Sequence, residues 1–431
     1  MISSVPLGLY ISVPFCRTKC SYCNFASDVF SKSAYENYVG RLLEDIGNAH
    51  HFAAELKCDL GSAAETSRDH IVDSIYLGGG TPSILEGPQL LHIFAAVRDE
   101  FVVARDAEIT VECAPGTLTA ALIDTLLQCG VNRVSLGVQS FVDKEAQSVG
   151  RLHQRSTVLE EIARLRESGL ANISIDLIAG LPHQTPESWA FSVSEAIATE
   201  VPHVSVYMLE VDDESRLGRE LIAGGARYHA HFVPDDDATA DFYQQACETL
   251  AAGGIAQYEI SNFARTASHS RHNLKYWTRQ PYLGFGVDAH SMLELPVWGR
   301  APSPVQAERG SAVRFATPDS LDAYMNRASH TVTPVSTQAA IEETFFLGLR
   351  LNRGVDLARV RAEFSANALA TLESAIQQSV QDGLLEQQGT VLRLTGRGRV
   401  LSNEVFARFL AEETSEEMKE TKVGAGNVKP R

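Results

Sequence analysis

Short apolar runs recur along the first half of the chain, each separated from the next by a stretch of helical periodicity. Leu7–Val13, Ile71–Leu77, Ala107–Val111, Val131–Val138, Asn172–Ala179 and His203–Leu209 read as six strands. Apolar runs of this length, bounded by turn residues, suit strands covered on both faces. Strands that alternate with helices build parallel βαβ units. Six units make a partial barrel, and barrels of this kind gather their chemistry at the C-terminal ends of the strands.

The helices between the runs carry their own punctuation. Ser33 and Glu36 predict a capping box for the first helix, whose stripe is Tyr35, Val39, Leu42, Leu43 and Ile46. Leu118–Gln128 stops at Gly130; a helix capped by Thr157 and Glu160 stops at Gly169; another has Thr185 at its N-cap and Pro186 at its first position. Gly61–Arg68 reads as a polar loop.

The second half reads differently. Leu293–Ser320 holds Pro296, Pro302, Pro304 and Pro318 with little periodicity, as a connector would. Ala340–Leu351 and Asp356–Phe364 are helical in pattern, Gly383–Glu386 and Val391–Leu394 form a hairpin around Gln388-Gly389, and a last helix spans Arg399–Ala411. From Glu412 the chain is polar, with the composition of a disordered tail. The expected division is therefore a barrel and following segment to 292, a connector over 293–320, a C-terminal domain over 321–411 and a tail over 412–431.

Composition bounds the partners. A net charge of −17 and a pI of about 5.2 argue against nucleic acid, whose phosphates call for a basic footprint. The N-terminus lacks the pattern of a signal peptide, and no apolar run approaches the ~20 residues of a spanning helix. Of seven cysteines, Cys58, Cys113, Cys129 and Cys247 are scattered rather than arranged as a disulfide framework, which places the chain in a reducing cytoplasm.

The other three cysteines, Cys16, Cys20 and Cys23, follow the first strand in a C-x3-C-x2-C loop. Three thiols in eight residues can wrap one compact soft-metal centre. Cubane [4Fe–4S] clusters normally take four thiolates, so three leave one iron open. A structural zinc site, usually built from two separated pairs, and three unconnected core cysteines are the alternatives. At other strand ends stand Gly78-Gly79-Gly80-Thr81-Pro82, whose backbone can approach a ligand closely, then Glu112, Gln139 and Arg151. Asp176 sits inside an apolar strand, where a charge needs a partner. His203, Tyr207 and Glu210 close the sixth strand, and Gly180–Gln184 follows the fifth. Farther on, Tyr258–Ala264 precedes Arg271–Trp277, in which His272, Asn273, Tyr276 and Trp277 concentrate polar-tipped aromatics; histidine is a common axial ligand to heme iron.

This loop and its setting resemble the radical S-adenosylmethionine (SAM) superfamily, and within it the oxygen-independent coproporphyrinogen III dehydrogenase-like family, heme-chaperone branch. The resemblance runs from Leu9 to about Leu410. It implies an α/β fold: a partial (β/α)6 radical-SAM barrel with a C-terminal helical, winged-helix-like domain. It implies a [4Fe–4S] cluster on Cys16, Cys20 and Cys23 whose open iron binds SAM, with one-electron cleavage to a 5′-deoxyadenosyl radical. It implies a SAM site lined by Tyr10, Tyr22, Gly79, Gly80, Thr81, Glu112, Gln139, Arg151 and Asp176. His272 and Tyr276 match a His-Asn-x-x-Tyr motif associated with heme in that branch. The implied partners are heme or a porphyrin, heme-acceptor proteins, membrane-associated ones included, and an electron donor. The dehydrogenases usually carry a fourth cysteine two residues after the third; here that position is Phe25. They also carry a longer N-terminal extension. Both departures favour a chaperone over oxidative decarboxylation of coproporphyrinogen III, which is the alternative. A DNA-binding regulator, the third possibility, is opposed by the acidic balance.

Replacing Cys16, Cys20 or Cys23 by Ala should abolish an oxygen-sensitive cluster, whereas the same change at Cys58, Cys113, Cys129 or Cys247 should leave it. Iron, sulfide and the EPR signal of the reduced protein are the readouts. Full cluster content after loss of Cys20 would refute the assignment.

Overall fold

A computed structural model describes residues 5–58, 60, 71–295, 312–364 and 369–410. Six strands form its centre: β1 Leu7–Val13, β2 Val72–Gly79, β3 Val103–Cys113, β4 Arg133–Gln139, β5 Ile173–Ala179 and β6 His203–Met208. Each pairs in parallel with the next, in the order of the sequence. The fold is the expected α/β partial barrel, with helices between the strands.

The two faces of these strands differ in chemistry, because successive side chains point to opposite faces. The outward set is apolar: Leu9, Ile11 and Val13, then Ile75 and Leu77, Ile109 and Val111, Val134 and Leu136, Ile175 and Leu177, Val204 and Val206. It joins the inner faces of the helices in one core, where Leu42, Phe94, Leu126, Leu165 and Trp189 have no solvent exposure. The inward set is polar. Ser74, Tyr76, Glu108, Thr110, Arg133, Ser135, Ser174, His203 and Ser205 are all buried. Register stacks them into rows: Ser74 beside Glu108, Tyr76 beside Thr110, Glu112 beside Ser135, Asp176 beside Ser205.

The sheet continues past both edges. β7 Ala256–Gln257 and β8 Asn262–Ala264 follow β6, with β8 antiparallel to it. On the other side β9 Tyr282–Phe285 lies parallel to β1, and β10 His290–Glu294, β11 Ala312–Ala316 and β12 Thr331–Val335 extend it antiparallel. This revises the expected connector: Ala312–Ala316 is a strand of the large sheet, and so is Thr331–Val335, which the sequence reading gives to the C-terminal domain. Proline density hid β11, which has a clear alternation of its own. The rest of the expected connector lies largely outside the described residues, as do the loop Gly61–Arg68 and the tail from Glu412.

The C-terminal helices pack on a small antiparallel sheet of β13 Val355–Asp356, β14 Leu385–Gln388 and β15 Val391–Leu394, ordered β13-β15-β14. Gly389 turns the β14–β15 hairpin in the left-handed region (φ 61°). The core of this part comprises Ile341, Phe345, Leu349, Leu392, Val405 and Phe409, with Ile260 inserted from the barrel side.

Several helix boundaries differ from expectation. The first helix begins at Lys32 after Ser31 with no side-chain cap, so Ser33 and Glu36 form no capping box. The helix expected to open on Thr157 and Glu160 begins at Arg155 after Gln154. The last expected helix is two short ones, Gly396–Val400 and Ser402–Ala407. Thr185, by contrast, is the expected N-cap and accepts from Ser188 N–H, and Thr119, not singled out in the sequence, accepts from Leu122 N–H. Among the described residues no helix is long and apolar enough to cross a membrane.

Candidate active site

The three-cysteine loop leaves β1 at its C-terminal end and is tied down on several sides. Cys16 N–H donates to Asp28 O (3.0 Å) and Ser21 N–H to Val149 O (3.1 Å). The glycine segment after β2 lies directly beneath it: Gly80 N–H donates to Val13 O (2.8 Å) and Thr81 N–H to Phe15 O (2.7 Å). A Cβ on Gly80 would come within 2.7 Å of Phe15 O and 2.9 Å of Phe15 N. The absent side chain therefore serves strand-to-loop packing as much as any ligand.

All seven cysteines are free thiols. Cys16, Cys20 and Cys23 border one cavity of about 530 Å³. Thr81 Oγ1–H points at Cys16 Sγ (3.7 Å), and Arg151 Nη1 lies 3.7 Å from Cys20 Sγ. Burial pushes the Cys16 thiol up and the Cys23 thiol up to about 11, and the neighbouring thiols add to both shifts. Metal or cluster binding must displace those protons. Among the described residues no three His, Cys, Asp or Glu side chains gather round the position of a single ion. A thiolate-only donor set spread along a cavity rim, with Arg151 and Thr81 donating toward the sulfurs, fits an iron–sulfur cluster.

The same cavity is lined by Tyr22, Gly79, Gly80, Thr81, Glu112, Gln139, Arg151 and Asp176. These eight come from different strand ends and loops, and the barrel brings them together. Glu112 accepts from Tyr76 O–H (2.9 Å) and from Gly79 N–H (3.1 Å), and burial raises its carboxyl to about 7. Asp176 accepts from Ser135 O–H at 3.2 Å, and burial raises it to about 6. Gln139 ends β4 with φ 70°, a left-handed conformation unusual for a side-chain-bearing residue, at an irregularity in the β4–β5 register. Its Oε1 is buried without a hydrogen-bond partner, an acceptor facing a cavity. Arg151 is turned to the cluster side as well as to the polar row, since it also donates to Gly137 O.

Tyr10 is not brought to the cavity. It is buried deeper in the barrel, packed on Tyr76 (6.2 Å between ring centroids) and His272 (6.4 Å). His272 and Tyr276 lie at that same level and not on the cavity wall. His272 Nδ1 meets Ser74 Oγ (3.1 Å), Nε2 meets Tyr276 O–H (2.9 Å), and its ring stacks on Tyr76 (5.4 Å). Both ring nitrogens are thus engaged, and Tyr76 links this group to Glu112. Of the other sixth-strand candidates, Tyr207 and Glu210 line the cavity, whereas His203 is buried between Ser174 (2.7 Å) and Tyr258 (3.0 Å). Gln184 closes its own loop, accepting from Gly180 N–H (2.6 Å) and donating to Ile178 O (3.1 Å).

Sequence reasoning missed the contribution of the C-terminal domain. Phe346, Leu347, Arg350, Val400, Asn403 and Phe406 also line the cavity, beside Trp277 and Ile260. It also missed Tyr76 and Ser135, which hold the two carboxylates. Their signal is the alternation of small polar residues within apolar strands.

A parallel-stranded partial barrel with three cysteine thiols at the end of its first strand defines the radical SAM class. The profile of the Radical SAM superfamily matches residues 10–194, and that of the HemN C-terminal domain matches 335–401. Among solved structures, coproporphyrinogen III oxidase (HemN) from Escherichia coli, a radical SAM enzyme, superposes with a TM-score of 0.75 at 22% identity, over 94% of this chain and 90% of that one. The chain is 32% identical over 404 residues to heme chaperone HemW of Bacillus subtilis, covering 94% of this chain and 99% of the relative. It is 32% identical over 408 residues to heme chaperone HemW of Mycobacterium tuberculosis, covering 94% and 95%. The chain belongs to the HemW family. Superfamily membership implies a [4Fe–4S] cluster and SAM as its cofactors.

Burial lowers His272 to about 3 from 6.5, so the folded state keeps it neutral. The unfolded state takes up a proton as pH falls through 6.5, and the folded state does not. Stability present above pH 6.5 is therefore lost between 6.5 and 3. A His272→Gln variant should lose about 1–2 kcal/mol less than wild type between neutral pH and roughly pH 5. Urea midpoints across that range test it; parallel curves for the two proteins would count against the assignment.

Proposed function

We propose that this protein binds heme and passes it to acceptor proteins, as a cluster- and SAM-dependent heme chaperone. The full-length relationship to proteins named heme chaperone HemW carries this reading. Phe25 at the fourth-cysteine position supports it against coproporphyrinogen III decarboxylation.

When bound, the cluster and SAM supply one-electron chemistry at a sulfonium, and the chain's residues place and shelter them. Cys16, Cys20 and Cys23 hold the cluster. Glu112 is the acceptor for the ammonium of SAM: it is already oriented by Tyr76 and Gly79, and a cation beside it draws its proton off. Gln139 offers its unpartnered Oε1 to a donor of the same ligand. Asp176, fixed by Ser135, accepts from a hydroxyl or ammonium deeper in the cavity. Tyr22, half-buried beside Cys20 and Arg151, lines the cluster side of the cavity. His272 and Tyr276 are the heme contact. The His272 imidazole is neutral, the form that ligates iron, and its Nε2 becomes available once the single bond to Tyr276 is given up.

Glu112→Gln, Gln139→Ala and Asp176→Asn should each weaken SAM binding by about tenfold or more while leaving iron content unchanged. Glu112 stands at about 7, so wild type should release a substantial fraction of a proton on binding SAM near that pH. Calorimetry in buffers of different ionisation enthalpy should show this release fall in Glu112→Gln; the same release in both proteins would refute the role.

The heme reading is tested on anaerobically purified, cluster-loaded protein by heme titration, transfer to an apo-acceptor and a coproporphyrinogen III assay on one sample. Heme binding and transfer without porphyrinogen turnover is expected, with His272→Ala shifting the Soret band or weakening binding while cluster and SAM binding persist. Turnover without heme binding would reverse the reading.

A further inference from the structure

The motif Tyr258–Ala264 stands apart in the sequence, and two of its residues, Ile260 and Ser261, border the cavity. In the structure it docks the C-terminal domain. Ile260 N–H donates to Arg350 O (3.1 Å), Asn352 N–H to Tyr258 O (3.0 Å) and Asn352 Nδ2 to Gln257 O (2.7 Å). Glu259 and Leu351 form an antiparallel bridge. This ladder fixes the backbone on both sides of Arg350, and Arg350 lines the cavity.

Two further contacts set the guanidinium. Its carbon lies 4.3 Å above the ring centre of Trp277, a cation–π contact. Glu259, with no solvent exposure, places Oε2 3.6 Å from Arg350 Nη2. That distance is an ion pair and not a hydrogen bond. Glu259 Oε1 is taken by Ser261 N–H (3.0 Å) and Asn262 Nδ2, whereas Oε2 has no hydrogen-bond partner. Arg350 Nε is likewise buried without one. The guanidinium is thus held in place by charge and stacking while donors remain unspent. The same cavity wall carries Trp277, Phe346, Leu347, Phe406 and Ile260, interspersed with Ser261, Ser402 and Asn403.

A fixed cation with unused donors, set in an aromatic wall, suits a flat apolar ligand that carries a carboxylate. We infer that Arg350, held by Glu259 and Trp277, receives a carboxylate of the planar ligand and so makes the C-terminal domain part of the ligand site. The inference rests on the heme reading above and supplies its anion-recognising residue. Heme has two propionates, and Arg350 takes one of them by a charge-assisted hydrogen bond.

The test compares ferric heme with its dimethyl ester, which keeps the ring and iron and lacks the negative charges. Both are titrated into cluster-loaded wild type, Arg350→Gln, Arg350→Lys and the paired Glu259→Gln/Arg350→Gln. The paired variant avoids leaving a buried carboxylate unmatched. Wild type should prefer the free acid by about ten- to hundredfold. Arg350→Gln and the paired variant should lose that preference with ester affinity unchanged, and Arg350→Lys should keep most of it. Equal binding of acid and ester by wild type, or an equal loss of both in the variants, would overturn the inference and leave the heme reading standing. Failure of wild type to bind either compound would remove the heme reading and this inference with it.

Discussion

A barrel interior lined with charge and hydroxyl groups persists only if nearly every buried donor and acceptor finds a partner. That requirement organises this molecule. The strands alternate apolar-out and polar-in, so the helices are held by an ordinary hydrophobic core while the interior is free to be polar. Each unsatisfied group would cost about 1–3 kcal/mol. The register answers most of them in pairs: Ser74 with His272, Tyr76 with Glu112, Ser135 with Asp176, Ser174 with His203. A one-residue slip of any strand would turn these groups onto the helices, so satisfaction of the interior also fixes the pairing.

Some of the exceptions to that satisfaction border the cavity, and others, among them Arg41, Asp73 and Thr110, do not. Gln139 Oε1 and Arg350 Nε are buried without partners, and both residues line the cavity. Glu112 and Asp176 have enough hydrogen bonds to be held rigidly, yet burial lifts both well above ordinary carboxylates. Burial opposes ionisation here more strongly than the hydrogen bonds favour it. A cationic ligand supplies the missing counter-charge, so ligand binding and carboxylate ionisation reinforce each other. Deeper in the barrel, His272 has both ring nitrogens paired and stacks on Tyr76, which in turn holds Glu112.

Local patterns made much of this legible in the sequence. The six strand runs, the cysteine spacing and the polar strand-end residues are each visible within ten residues of chain, and eight of the nine residues matched to a SAM site do border one cavity. The ninth, Tyr10, packs instead on Tyr76 and His272. The caps at Ser33 and Thr157 failed because serine and threonine near a helix start satisfy the pattern equally from a position one or two residues inside. β11 was masked by surrounding prolines. Arg350 could not be found locally at all: its partners Glu259 and Trp277 lie 91 and 73 positions away, and only the folded chain brings them together.

The charge balance of the chain is likewise misleading when read as a whole. A net charge of −17 suggests a surface that repels anions. Around the cysteine loop the chain is locally cationic: Arg17 and Lys19 lie on the loop, Arg216 Nη1 donates to Lys19 O (3.2 Å), and Arg151 lies half-buried against Cys20. Thiolates bound to a cluster bring negative charge into a site where burial already holds Cys16 and Cys23 protonated. Arg151 is the one of these cations whose guanidinium lies against a cysteine sulfur, 3.7 Å from Cys20 Sγ, so its field acts there at short range. It offsets the desolvation that would otherwise oppose ligation, which is why an arginine following the fourth strand belongs to a cysteine loop that follows the first.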